Sequence, residues 1–180
     1  SGYRLGVHIA DVSYYVKEKS SIDVEALKRG CSVYLVDRVV PMLPPKLSNG
    51  ICSLNPQTDR LTMSVLIDFD WDGNIKKYKI TPGVIKTCER MTYTQVNEIL
   101  EEKDKDTMKR FDYLVDDLNS MKLLAEKLTE KRFMRGSLDF DLEEAKVILD
   151  EDGYATDVVK EERKISNRII EEFMIAANEV

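Results

Sequence analysis

The chain has 180 residues, 43% of them hydrophobic and 33% charged. That fits one domain or a large piece of one, and it excludes wholesale disorder. A net charge of -6 and a pI near 5.0 argue against a self-sufficient nucleic-acid binder, although a local basic channel is compatible with them. Cys31, Cys52 and Cys88 are far apart, and with one histidine they supply no zinc pattern. They read as reduced thiols of a cytoplasmic protein. No apolar run reaches membrane-spanning length, and no signal peptide is visible, so no membrane partner is expected.

"YRLGVHIADV" (3–12) alternates apolar residues and predicts a strand with one buried face. "SIDVEALKRG" (21–30) predicts a short helix, with Asp23 as its N-cap and Gly30 as its stop. "CSVYLV" (31–36) predicts a short buried strand. The next stretch, 39–56, holds four of the five prolines together with Val39, Val40, Met42, Leu43, Leu47, Ile51 and Leu54. It is too apolar for a flexible linker and too proline-rich for a regular element. Residues 60–87 predict a hairpin turning at Asp72-Gly73.

"TYTQVNEILEE" (92–102) predicts a helix capped by Thr92, and the charged "EKDKD" after it predicts a loop or frayed end. Phe111, Leu114, Val115, Leu118, Met121, Ala125 and Leu128 recur at helical spacing, giving an amphipathic helix over 109–134 that Gly136 ends. A second hairpin is predicted over 143–161 around Asp152-Gly153, and a final helix over 163–180. No internal repeat or domain boundary is apparent. The fold class is α+β: a mixed, largely antiparallel β-sheet flanked by helices. The abrupt start at Ser1 and a helix still running at Val180 look like cut ends, so 1–180 reads as a single partial domain.

Asp68, Asp70, Asp72 and Gly73 open like a calcium loop, but the twelfth position is Lys79 rather than a bidentate Glu, so calcium is rejected. His8 and Asp11 read as structural, since no nucleophile can be tied to them. Tyr34, Tyr93 and Phe140 each stand where an element begins or ends, a place from which an aromatic ring can stack on a base, though each alone reads as a boundary residue. Arg163, Lys164 and Arg168 precede Glu171 and Glu172, a spacing that predicts ion pairs within the last helix.

Five blocks, "RLGVHIADVSYYV", "SVYLVDRVVPMLPPKLSNGICSLNPQTDRLTMS", "RMTYTQV", "RGSLDF" and "RKISNRIIEEFMIAAN", together resemble the catalytic (RNB) domain of the ribonuclease II / ribonuclease R family. "VPMLPPKLSNGICSLNP" leans toward ribonuclease R. The resemblance implies a hydrolytic exoribonuclease that degrades single-stranded RNA processively from the 3′ end and releases nucleoside 5′-monophosphates. It implies magnesium, held by an aspartate cluster of D-x-D-D type. That cluster would lie upstream of Ser1, shortly before the block that opens at Tyr3. A catalytic arginine and a further glutamate would lie downstream of Val180. Within 1–180 the resemblance therefore implies no catalytic or metal-binding residue, and an isolated chain without exonuclease activity.

Matched position by position, the resemblance gives Tyr34 a base-stacking role near the RNA 3′ end and makes Phe140 the clamp on the other side. Tyr93 and Glu171 match residues that contact the terminal ribose and favour RNA over DNA. Small β-barrel RNA-binding domains are implied on both sides of the parent's catalytic domain. On this reading the proline-rich segment is a stiff wall beside the RNA channel, anchored to the core by its apolar groups. Sheet edges left bare would also permit a dimer. Two alternatives stand beside this: a catalytically dead RNA-binding or scaffolding member of the same family, and an α/β interaction domain with no chemistry.

Overall fold

A computed structural model describes residues 2–138, 144–161 and 163–180. Its centre is a three-stranded antiparallel sheet in which β4 (Asp59–Phe69) lies between β1 (Tyr3–Ala10) and β5 (Ile75–Lys86). Along β4, Val65, Ile67 and Phe69 alternate onto one face, where Leu5 of β1 joins them. Two helices cover that face, α5 (Asp112–Met134) and α6 (Ile165–Asn178), packed on each other, with α6 also against the shorter α3 (Tyr93–Asn97). Ile67, Ile99, Leu100 and Ile169 are fully buried at the junction. Phe111, Leu118 and Ala125 recur at seven-residue intervals among the buried residues, the stripe that the apolar spacing predicts. The α+β architecture with an antiparallel sheet and flanking helices is therefore the one expected.

The β4–β5 turn is organised by one carboxylate. Asp70 Oδ1 accepts from the backbone N–H groups of Asp72 (3.1 Å) and Asn74 (2.8 Å), and Gly73 takes the left-handed conformation at φ 72° that closes the turn. Lys131 of α5 donates to the Gly73 carbonyl oxygen and to Asn74 Oδ1, which fastens the turn to the helix layer. The second hairpin, β6 (Glu144–Leu149) with β7 (Ala155–Glu161), repeats the device: Asp150 Oδ1 accepts from Asp152 N and Tyr154 N, and Gly153 sits at φ 84°.

Several local expectations are corrected. The N-cap of α2 (Ser21–Arg29) is Ser20, whose hydroxyl accepts from Asp23 N; Asp23 instead accepts from Lys19 N outside the helix. "EKDKD" is not simply a loop. After a left-handed Lys103, Asp104 caps the short helix α4 (Lys105–Arg110) by accepting from Thr107 N at 2.8 Å. The segment 31–36 is not a buried strand. It contributes only the two residues of β2 (Val33–Tyr34), paired with β3 (Val39–Val40), and all of Val33, Tyr34, Leu35 and Val36 are exposed. The final helix does not run to the last residue. It ends at Asn178, and Val180 folds back as a partly buried side chain against the core.

The proline-rich stretch also departs from expectation, because none of its apolar residues joins the main core. Polar contacts hold it instead. Arg29 Nη1 donates to the Pro41 carbonyl oxygen (3.0 Å), and Met42 N donates to Ser32 Oγ (2.9 Å). Arg60 donates from Nε to Ser53 O (2.9 Å) and from Nη2 to Gly50 O (3.3 Å). Pro44 begins a π-helical turn over Lys46–Ile51, with its carbonyl oxygen accepting from Leu47 N and Ser48 N. The prolines set the backbone angles, and one guanidinium ties down carbonyls around the turn.

Candidate nucleic-acid interface

Tyr34 stands at the end of β2 with its side chain 79% exposed. Tyr93 opens α3, where Thr92 makes a reciprocal cap with Gln95, and it is 52% exposed. Neither phenol makes a side-chain hydrogen bond or ring contact among the described residues. Glu171 lies on α6, the helix against which α3 packs, and pairs through Oε2 with Arg163. The fold thus sets Tyr93 and Glu171 on touching elements, whereas among the described residues no hydrogen bond or ion pair joins Tyr34 to either. Phe140 lies outside the described residues.

The resemblance leads one to expect catalytic residues upstream of Ser1 and downstream of Val180, outside the 180 positions of the sequence. Ser1 and Val180 only mark the bounds of that expectation. Ser1 lies outside the described residues, and Val180 is spent on packing against the core.

The carboxylate next to Glu171 behaves differently from the prediction of ion pairs within α6. Glu172 is buried, and its Oε1 accepts from Arg132 Nη2 (2.6 Å) and Nε (3.0 Å) of α5 rather than from Arg168. Arg132 Nη1 also donates to Ser137 Oγ at 3.0 Å. One guanidinium therefore joins α6 to the chain leaving α5. Sequence spacing misses this because the partners are 40 positions apart. The available signal is an Arg at the end of one amphipathic helix and a Glu on the apolar face of another.

A cavity of about 370 Å³ opens below Tyr93 between α3, α5 and α6. Met91, Val96, Leu118 and Ile169 form apolar walls, Glu89 and Asp117 contribute carboxylates, and Ser166 also lines it. Tyr113 donates its hydroxyl to Glu89 Oε2 at 3.1 Å. Burial, with this hydrogen bond to a carboxylate, pushes the Tyr113 phenol up from its ordinary pKa.

The acidic side chains of the described residues do not assemble a magnesium site. Among the described residues no three His, Cys, Asp or Glu side chains come together. Asp68 is occupied by Arg4 (Nε to Oδ1, 2.6 Å) and Lys77 (3.3 Å), and the Arg4 hydrogen bond holds its pKa down to about 2. Asp70 is depressed further, chiefly by its hydrogen bonds from Asn74. Both carboxylates are spent inside the hairpin, so among the described residues none fits the metal, and no catalytic step is written through it on these side chains.

His8 does meet a hydroxyl that sequence could not tie to it. Its Nδ1 lies 2.7 Å from Ser64 Oγ, which lies 2.9 Å from Thr62 Oγ1. Asp11 is not its partner, since that carboxylate caps α1 (Val12–Tyr15) by accepting from Tyr14 N. Ser64 is buried in mid-strand and shares its hydroxyl with Thr62, and no carboxylate among the described residues orients the imidazole. An activated nucleophile needs that third group and an approach path, so the row is structural.

The model of the family described as RNB domain matches residues 1–180. The chain belongs to the RNB domain family. Ribonuclease R of Thermotoga maritima is 54% identical over 178 residues, covering 98% of this chain and 25% of that protein. Ribonuclease R 2 of Lactococcus lactis is 50% identical over 180 residues, covering 98% and 27%. Mycoplasma genitalium RNase R in complex with double-stranded RNA superposes with a TM-score of 0.91 at 35% identity, covering 99% of this chain and 32% of that one. This RNB chain spans about a quarter of the length of the curated relatives it matches.

Proposed function

We propose that this RNB chain is the central part of the catalytic domain of a ribonuclease R-like 3′-to-5′ exoribonuclease, and that it supplies the grip on the 3′ end of single-stranded RNA. Tyr34 and Phe140 would stack on the terminal bases, while Tyr93 and Glu171 would hydrogen-bond the terminal ribose. The observation that carries this reading concerns the two tyrosine positions that the family resemblance singles out. Tyr34 and Tyr93 are exposed, and among the described residues their hydroxyls are unengaged. Buried phenols normally find a partner and buried rings cannot stack on a ligand; these two are open to do both. A related RNase R has been solved with ribose-methylated single-stranded RNA, which supports RNA as the partner.

Magnesium belongs to the whole enzyme in this reading, bound by residues upstream of Ser1, and the isolated chain does not cleave RNA. The setting is cytoplasmic, a reading supported by three cysteines that are all free thiols. Among the described residues no helix is long and apolar enough to cross a membrane. The parent's flanking β-barrel domains would provide much of the electrostatic attraction that a chain of net charge -6 lacks. The outer edges of β1 and β5, which carry no further strand among the described residues, offer a route to a dimer of the isolated chain.

The test is equilibrium binding of end-labelled single-stranded RNA and DNA of the same sequence, at low salt and with magnesium present. Tighter binding of RNA with no shortening is expected. Equal binding of both, or stepwise shortening that persists through further purification, contradicts the proposal.

A further inference from the structure

Glu171 and Glu172 are neighbours on α6, yet each is held by a guanidinium from a different part of the chain. Arg132 of α5 takes Glu172. Arg163, two positions before α6 begins at Ile165, reaches along roughly two helical turns to Glu171 Oε2. The two pairs differ in their access to solvent. The Glu172 side chain is 4% exposed, as befits a structural pair, whereas that of Glu171 is 38% exposed. An exposed ion pair adds little to folding, so the second pair calls for another reason. Arg168, one turn before Glu171, forms no ion pair with it. Glu171 Oε1 makes no hydrogen bond among the described residues. Arg163 thus occupies one carboxylate oxygen and leaves the other open, on the helix against which Tyr93 and α3 pack.

We propose that Arg163 is a positioning residue for the choice of RNA over DNA: it fixes Glu171 Oε2, so that Oε1 is already placed to accept from the 2′-hydroxyl of the terminal ribose. This rests on the ribose reading of Glu171 given above. An ionised carboxylate only accepts hydrogen bonds, and a ribose hydroxyl is a donor that deoxyribose lacks. A free glutamate side chain samples many rotamers, and ordering it when the ribose arrives subtracts from the affinity gained. The charge-assisted bond from Arg163 completes that ordering beforehand. Arg163 touches no substrate on this account and acts through Glu171. A guanidinium that merely staples the start of α6, or that meets a phosphate, would serve RNA and DNA alike.

The experiment uses the whole protein that carries this chain, with a chelator present so that no strand is cut. It compares binding of a single-stranded RNA with binding of the same RNA ending in one 2′-deoxynucleotide. The all-ribose strand should bind about tenfold tighter, and Glu171→Ala should erase that preference. Arg163→Met should cut it about fivefold, by weakening the all-ribose strand alone. Arg163→Lys keeps a cation within reach and should restore most of it. Arg163→Met combined with Glu171→Ala should bind no more weakly than Glu171→Ala, because the arginine acts through the glutamate. An intact preference in Arg163→Met beside a lost one in Glu171→Ala overturns the role of Arg163 and spares the ribose contact. Equal weakening of both strands, or a loss that adds to that of Glu171→Ala, overturns it too. A preference that survives Glu171→Ala removes Glu171 from the ribose, and the positioning role falls with it.

Discussion

Arg132 and Glu172 form a buried, two-pronged ion pair that locks the end of α5 to the middle of α6. Removing one partner of such a pair strands the other charge away from water, at a cost of about 3–5 kcal/mol. Glu172→Ala should destabilise the chain by that order in urea unfolding. Replacing both partners, Glu172→Ala with Arg132→Met, should recover a large part of the loss. If the double variant is as unstable as the sum of the singles, the pair is not acting as a unit.

Acid should weaken the hairpin end of the sheet. Arg4 lowers Asp68 to about 2. A depressed carboxylate contributes stability that is complete above its ordinary pKa and is lost as pH falls toward the lowered one. The Asp68 carboxyl signal should titrate with a midpoint of about 2, and Arg4→Met should move it back toward the ordinary carboxylate range. A midpoint already in that ordinary range in the parent chain would refute the pairing.

Rigidity of the proline-rich stretch should matter more for ligand than for stability. The segment does not join the main core, and Pro→Gly chiefly loosens the unfolded chain, by about 0.4–1 kcal/mol per site. Pro44→Gly with Pro45→Gly should lower the thermal midpoint by only a few degrees and weaken RNA binding by the whole protein that carries this chain. Unaltered RNA affinity would show that the segment is no part of the channel wall.

Stacking and ribose recognition separate by substitution. Tyr34→Ala should remove about 1–3 kcal/mol of RNA binding and a similar amount of DNA binding, because a π-face is common to both. Tyr93→Phe keeps the ring and should lose about 1 kcal/mol, roughly fivefold, for RNA alone. Parallel titrations of both nucleic acids check the pattern; an equal loss for RNA and DNA in Tyr93→Phe would exclude a contact to the 2′-hydroxyl.

Elements with strong periodicity are legible in the sequence: β1, the β4–β5 hairpin, the stripe of α5 and the Thr92 cap all follow from local chemistry. What local chemistry cannot express escapes it. Val33 to Val36 read as buried because they are apolar, yet no described element covers them. Glu172 reads as a partner for Arg168, since spacing along a helix reveals neighbours on that helix and nothing about Arg132 across it. Ser20 outcompetes Asp23 as a cap because an N-cap must stand one residue outside the helix, a boundary that pattern fixes poorly. The residues proposed to touch RNA come from resemblance; composition alone leaves Tyr34 and Tyr93 as boundary aromatics.

The central claim is that Tyr34, Tyr93, Phe140 and Glu171 share one RNA end. A single-stranded RNA bearing 4-thiouridine at its 3′ terminus, photo-crosslinked to the whole protein and mapped by mass spectrometry, addresses it most directly. The account predicts crosslinks concentrated on the peptides that carry these four residues. Crosslinks confined to the β6–β7 hairpin or to the face of the sheet opposite α5 and α6 would contradict it.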